Sequence, residues 1–195
     1  MRIADENINR RKGAEHMLSR EQCLQVYGSD YYIQKKVDAG ELFRLDKGVY
    51  STEKYVPELA LAAFKYPNAV VTMRSAFYFY GLTDVIPDVI DLATGRDAAK
   101  IRDKRVKQYF IPDSFFKEGI EHSDYKGYTL SIYSRERMLV ELIRYKSKLP
   151  YDYYKEIVLN YRRILPTLDV QEIQDLTLAA PKSNKVFEVL QAEVL

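Results

Sequence analysis

The stretch SDYYIQKKVDAGELFRLDKGVYS, residues 29–51, decides how this chain is read. Ser29 is a helix-cap candidate, and Gly40 supplies a residue without Cβ where a helix must stop. At about 100° per residue, Ile33 and Val37 fall on one side of that helix. Tyr31 and Lys35 fall on the far side, with Tyr32 and Gln34 at its edges. Leu42, Phe43 and Leu45, then Val49 and Tyr50, alternate as two short strands around Asp46-Lys47-Gly48, where the glycine permits the positive φ of a tight hairpin.

Immediately upstream, SREQCLQVYG places Ser19 three residues before Gln22, the spacing of a capping box, and Gly28 closes that helix. The polar segment before it reads as a first helix. Helix, tight turn, helix, hairpin is the order of a winged helix-turn-helix, with the hairpin as wing. On that reading the chain is α+β, a winged helix-turn-helix at residues 1–56 followed by a mixed α+β domain at 57–195 that ends in several helices. Tyr31, Gln34 and Lys35 would face base edges, Lys36, Arg44 and Lys47 would face phosphate, and Tyr32 joins them as a DNA-binding residue at the edge of the face. Helix pairs followed by hairpins also serve as protein-docking modules, and the charge of residues 1–56 is nearly balanced, so both readings stand at this point.

From Pro57 the texture changes. PELALAAFKYP and RSAFYFYGL read as helices, NAVVT, DVIDLAT and VKQYFIP as strands, and DYKGYTLSIYS as a hairpin around Lys126-Gly127, which predicts a small mixed sheet. The rest is helical. SRERMLVELIRYKS carries Met138, Leu139, Leu142 and Ile143 at helical spacing, and three more helical segments follow, the last with Phe187, Leu190 and Val194 on a side that reads as core. Strands followed by helices argue α+β rather than alternating α/β.

The chain has 195 residues, a net charge of +2, one cysteine and two histidines. That charge does not by itself mark a nucleic-acid binder, so basic surface must be sought segment by segment. Cys23 has no partner for an internal disulfide and sits in an apolar pattern, as a buried thiol would. The start lacks the apolar core of a signal peptide, and no run approaches the roughly 20 apolar residues of a membrane span, which predicts a cytoplasmic protein without membrane contact. His16 and His122 lack metal-ligating neighbours at useful spacing, and the phosphate-loop, dinucleotide, serine-hydrolase and zinc-protease motifs are absent. No enzyme, cofactor or metal is expected. Asp88 and Asp91, flanking a strand with a basic run behind them, leave a metal-dependent nuclease as the weaker alternative.

The densest charge lies in GRDAAKIRDKRVKQYF, where Arg96, Lys100, Arg102, Lys104, Arg105 and Lys107 face only Asp97 and Asp103. This second basic patch reads either as phosphate-contacting surface or as a solvated loop between strands. The seventeen tyrosines are spread over both halves, as packing residues would be.

Taken together, RLDKGVYS, Ser75-Ala76 and Gly81-Leu82 within NAVVTMRSAFYFYGL, and Glu136-Arg137 within YSRERMLVELIRYKSKLPYD resemble the AbiEi family of antitoxins from type IV toxin–antitoxin, or abortive-infection, systems. Where that family leads one to expect an Asp inside the helix that starts near Glu136-Arg137, this chain has Glu141. The resemblance implies a two-part antitoxin: an N-terminal repressor that binds inverted repeats of double-stranded DNA in its own promoter, and a C-terminal domain opposing a nucleotidyltransferase toxin without a stable complex. A winged-helix regulator unrelated to toxins, or an enzyme that modifies a toxin covalently, are the other expectations.

Overall fold

Ser19 and Gln22 close a reciprocal cap at the start of α1 (Arg20–Tyr27). The Gln22 N–H donates to the Ser19 hydroxyl at 3.2 Å, and the Ser19 N–H donates to Gln22 Oε1 at 2.8 Å. The structure is a computed structural model describing residues 16–194. The helix expected in the polar N-terminal segment lies outside the described residues. His16, the first of them, leads into β1 (Met17–Ser19), a strand that its sequence does not announce.

The chain divides into two units, one running through Pro67 and including Ser123–Leu130, the other comprising Asn68–His122 and Ser131–Leu195. In the first, Gly28 turns the chain at φ +84° and Ser29 caps α2 (Asp30–Asp38). Gly40, at φ +71°, lets the chain leave it. β2 (Phe43–Asp46) and β3 (Val49–Ser51) form the hairpin, with Gly48 at φ +74° and a register irregularity between Arg44 and Asp46. β1 adds antiparallel to β3, giving the order β1-β3-β2. Cys23, Ile33, Leu42 and Tyr50 pack as one apolar cluster between the helix pair and this sheet. A second cluster joins Met17 and Val49 to Ala60 and Leu61 of α3 (Glu58–Lys65), and Tyr128 completes it.

Tyr128 comes from a distant hairpin, β7 (Ile120–Tyr125) and β8 (Tyr128–Tyr133), whose tip falls in the first unit and whose base falls in the second. The expected sheet is mixed and five-stranded. It also contains β4 (Val70–Val71), β5 (Ile90–Gly95) and β6 (Val106–Ile111), in the order β6-β5-β4-β8-β7. β4 runs antiparallel to β5 and parallel to β8, and β5 runs parallel to β6. Parallel neighbours usually need a helical crossover, but residues 96–105 make this connection without one.

Helices α4 (Met73–Phe79) and the short α5 (Asp113–Phe116) accompany the sheet, followed by α6 (Arg135–Arg144), α7 (Tyr151–Ile164), α8 (Val170–Ala179) and α9 (Ser183–Glu193). The fold is mixed α+β with a C-terminal run of helices. Within the second unit, α6 packs against α4, α8 and α9. Every residue from Glu136 to Ile143 is buried, so the apolar stripe expected there is only part of a helix enclosed on all sides. In α9, Leu190 and Val194 are buried as expected, but Phe187 is 41% exposed and Val186 takes the inward position one residue earlier. Among the described residues no helix is long and apolar enough to cross a membrane.

Candidate nucleic-acid interface

α2 is held against α1 at its first turn, where Arg20 grips Asp30 with Nε–Oδ1 at 3.0 Å and a second nitrogen on Oδ2 at 2.5 Å. With Ile33 buried at 2% exposure, the opposite face must look outward. Tyr31 and Tyr32 are 72% and 55% exposed and meet edge to face at 5.4 Å, forming a largely exposed aromatic surface. Gln34 is exposed and donates to Asp38 Oδ1 at 2.8 Å, which leaves its amide oxygen available. Lys35 is exposed and makes no ion pair among the described residues. Lys36 pairs with Glu41 at 2.5 Å; that hydrogen bond and charge raise its pKa and so keep it protonated, while the Glu41 carboxylate offsets its charge locally.

The hairpin is fastened to α1 by the Arg20 N–H donating to the Gly48 carbonyl at 2.9 Å. Arg44 is exposed on β2 opposite Tyr50, and Lys47 is exposed at the turn. Neither makes an ion pair among the described residues. Asp46 between them accepts from the Lys47 N–H at 2.6 Å and from Lys65 Nζ at 2.9 Å, so its charge is spent on holding the hairpin rather than on neutralising Lys47. Three cations without an ion pair among the described residues, Lys35, Arg44 and Lys47, thus belong to two consecutive elements that share one small core.

The second basic run lies in the other unit. Gln108 staples its loop: Oε1 accepts from the Ile101 N–H at 2.8 Å, while Nε2 donates to Thr94 Oγ1 at 2.9 Å and to the Ala99 carbonyl at 3.1 Å. The loop therefore has a defined path, and Arg96, Lys100, Arg102 and Lys104 are exposed along it. Arg105 is bound to Asp103 at 2.8 Å, and Lys107 lies 5.0 Å from the Tyr109 ring centroid.

Asp91 and Asp88 have different surroundings. Asp91 is fully buried; its Oδ2 accepts from the Arg74 N–H at 3.0 Å and from Arg74 Nε at 3.2 Å. Burial pushes its pKa up while Arg74 pulls against that. Asp88 is exposed on the preceding loop. No cluster of three or more His, Cys, Asp or Glu that could hold a metal ion occurs among the described residues. His16 lies 3.4 Å from Glu53, and His122 lies 3.3 Å from the Ser131 hydroxyl.

What sequence reasoning did not reach is a buried ion cluster on α6 and the groove beside it. Arg137 is fully buried, its guanidinium 3.4 Å from the Phe115 ring centroid and 4.4 Å from that of Tyr133. It donates to the carbonyls of Phe115 at 2.7 Å and Glu118 at 2.8 Å, and to Glu141 Oε1 at 3.1 and 2.7 Å. Arg144 reaches the same oxygen at 2.6 Å. Glu141, the acidic position noted in the sequence, is therefore the shared anion of two arginines, and Arg144 also lines the groove. The available signal was RYKSKLPYDYYK, residues 144–155, where basic and aromatic residues interleave.

The described residues define a class by architecture: a helix pair with a small antiparallel sheet in one unit, and a mixed sheet with a helical run in the other. No protein-family profile matches the chain, and no curated protein matches it. Among solved structures, the crystal structure of the RV2827C protein from Mycobacterium tuberculosis is similar, with a TM-score of 0.64 and 16% identity over 98% of this chain and 76% of that one. At that identity the likeness is one of fold.

Proposed function

We propose that this chain is a DNA-binding antitoxin and autorepressor of a type IV toxin–antitoxin operon, acting without catalysis. In this reading the first unit is a winged helix-turn-helix with α2 as the recognition helix and β2–β3 as the wing. One observation carries the DNA-binding half. A capped helix exposes Tyr31, Tyr32, Gln34 and Lys35 on the face opposite its buried Ile33, and the next element presents Arg44 and Lys47, which make no ion pair among the described residues. Side chains of this kind at a helix face match base-edge and phosphate chemistry in a major groove. The antitoxin half rests on the resemblance to AbiEi antitoxins, which also supplies the expected antagonist, a nucleotidyltransferase toxin opposed without a stable complex.

The test is an anisotropy titration of the purified protein on its own upstream DNA and on a scrambled duplex, at two salt concentrations. Selective binding that weakens as salt rises is the expected outcome, because each neutralised phosphate releases counterions. Equal affinity for both duplexes at both salts would return the hairpin to a protein-docking role. Rescue of growth on co-expression with the toxin encoded beside it tests the second half, and failure to rescue would leave a winged-helix regulator unrelated to toxins.

A further inference from the structure

Where the end of α6, the start of α7 and the start of α9 approach one another, the second unit holds a groove of about 690 Å³. Arg144, Lys146, Lys148, Lys182 and Lys185 line it, and among the described residues no carboxylate does. Two of these cations are already engaged, Arg144 with Glu141 and Lys146 with Glu193. Lys148, Lys182 and Lys185 are exposed and make no ion pair among the described residues. Like charges gathered around one concavity repel, and an anion placed among them relieves that repulsion.

The backbone adds to the same potential. α9 starts at Ser183 between two of these lysines, and its N-cap residue, Lys182, is left-handed at φ +63° with a side chain that cannot accept a hydrogen bond. The helix is therefore uncapped by any side chain, and first-turn N–H groups of such a helix favour an anion.

The remaining lining narrows the class of anion. Tyr151 is 71% exposed at the groove, a flat ring without a packing partner over most of its surface. Tyr154 is instead fixed, its hydroxyl donating to Glu193 Oε2 at 2.6 Å. An inorganic anion or an acidic peptide would engage the lysines and leave the Tyr151 ring unused. A phosphate ester carrying a planar base would use both, and the volume suits a ligand of that size. We infer that this groove binds a nucleotide, with its phosphates among Lys148, Lys182, Lys185 and the start of α9, and its base stacked on Tyr151. A free nucleoside triphosphate and one nucleotide of a single strand offer the same chemistry.

Calorimetric titration of the full chain with ATP, with inorganic tripolyphosphate and with a short single-stranded oligonucleotide tests this. ATP is expected to bind about tenfold more tightly than tripolyphosphate, because stacking adds to charge. The double variant Lys148→Glu/Lys185→Glu, altered only at exposed side chains, is expected to lose both. Tyr151→Ala is expected to bring ATP down to the level of tripolyphosphate while leaving tripolyphosphate unchanged. ATP binding more tightly than the oligonucleotide identifies the free nucleotide as the source. The reverse order, persisting in Lys47→Ala and lost in the double variant, identifies a strand. The inference is overturned if ATP gives no heat at about 1 mM, if ATP and tripolyphosphate bind equally, if a polyglutamate peptide displaces ATP at equal concentration, or if the double variant binds as the parent chain does.

Discussion

At the scale of the residue, Arg137 is a costly group to bury in the second unit. A fully buried guanidinium is tolerable only because carbonyls, a carboxylate and two ring faces replace the water it has lost. Burial pushes its pKa down and the Glu141 charge opposes that shift. The chain must also make room: a Cβ on Gly119, which sits at φ +69°, would lie 2.7 Å from the Arg137 Cβ. Glu141→Ala leaves that guanidinium buried without its carboxylate and is expected to cost about 3–5 kcal/mol, read as a shift of the urea midpoint at unchanged m-value. A loss below about 1 kcal/mol would mean that the carbonyls alone suffice. Glu193 makes a separate, pH-dependent contribution. Burial alone would raise its pKa, but hydrogen bonds from Lys146 and Tyr154 outweigh that and hold the carboxyl below its ordinary value. Stability gained from a depressed carboxyl is present above the unfolded value, near 4.5, and is lost as pH falls through the folded one. The difference in Tm between the parent chain and Glu193→Gln is therefore expected at pH 7 and should shrink progressively as pH falls below about 4.5, through the depressed value of the folded state. A difference undiminished at about pH 3 would show that the contact does not depend on the carboxylate charge.

At the scale of the element, α2 and the β2–β3 hairpin divide the proposed work. Arg44 and Lys47 project from the hairpin, and a phosphate contact carries no sequence information, so Arg44→Ala and Lys47→Ala are expected to weaken all duplexes equally. Each should lower the salt slope by about one, measured by anisotropy over a salt series. Tyr31→Ala and Gln34→Ala, on α2, should instead narrow the gap between operator and scrambled DNA by about 1–3 kcal/mol for each lost base contact. Hairpin variants that leave affinity untouched would remove the wing from the interface. These elements were legible because their signals are local. Ser19 with Gln22, Ser29, Gly28, Gly40 and Gly48 act within a turn of where they stand. β1 was not legible: three residues carry too little pattern, and Met17–Ser19 is a strand only because Val49–Ser51 lies beside it.

At the scale of the whole molecule, the first unit is not contiguous in sequence. The texture change at Pro57 marks the start of α3, yet α3 and the tip of a hairpin some sixty residues further on both enter that unit. Tyr128 belongs to its core cluster and donates to Glu53 Oε2 at 2.8 Å; burial and that bond push its pKa up to about 12. A fragment ending at Pro67 lacks this side chain, a loss comparable to truncating a buried aromatic at about 3–5 kcal/mol. Such a fragment is expected to show no cooperative thermal transition by circular dichroism, while the full chain does. A cooperative melt of the fragment would show that the cluster closes without Tyr128.

The order of elements after Ser19 apart from the short α5, most of their ends, the mixed sheet, the exposed face of α2 and the basic loop could be read from the sequence, because caps, glycines and hydrophobic period act over a few residues. Tertiary structure alone decided that α6 is enclosed on every side, that Arg137 and Glu141 meet there as a buried ion pair rather than a surface one, and that residues near Lys146 and Lys185 face a common groove. Such features join residues tens of positions apart, and no local periodicity records which distant segment will supply the partner.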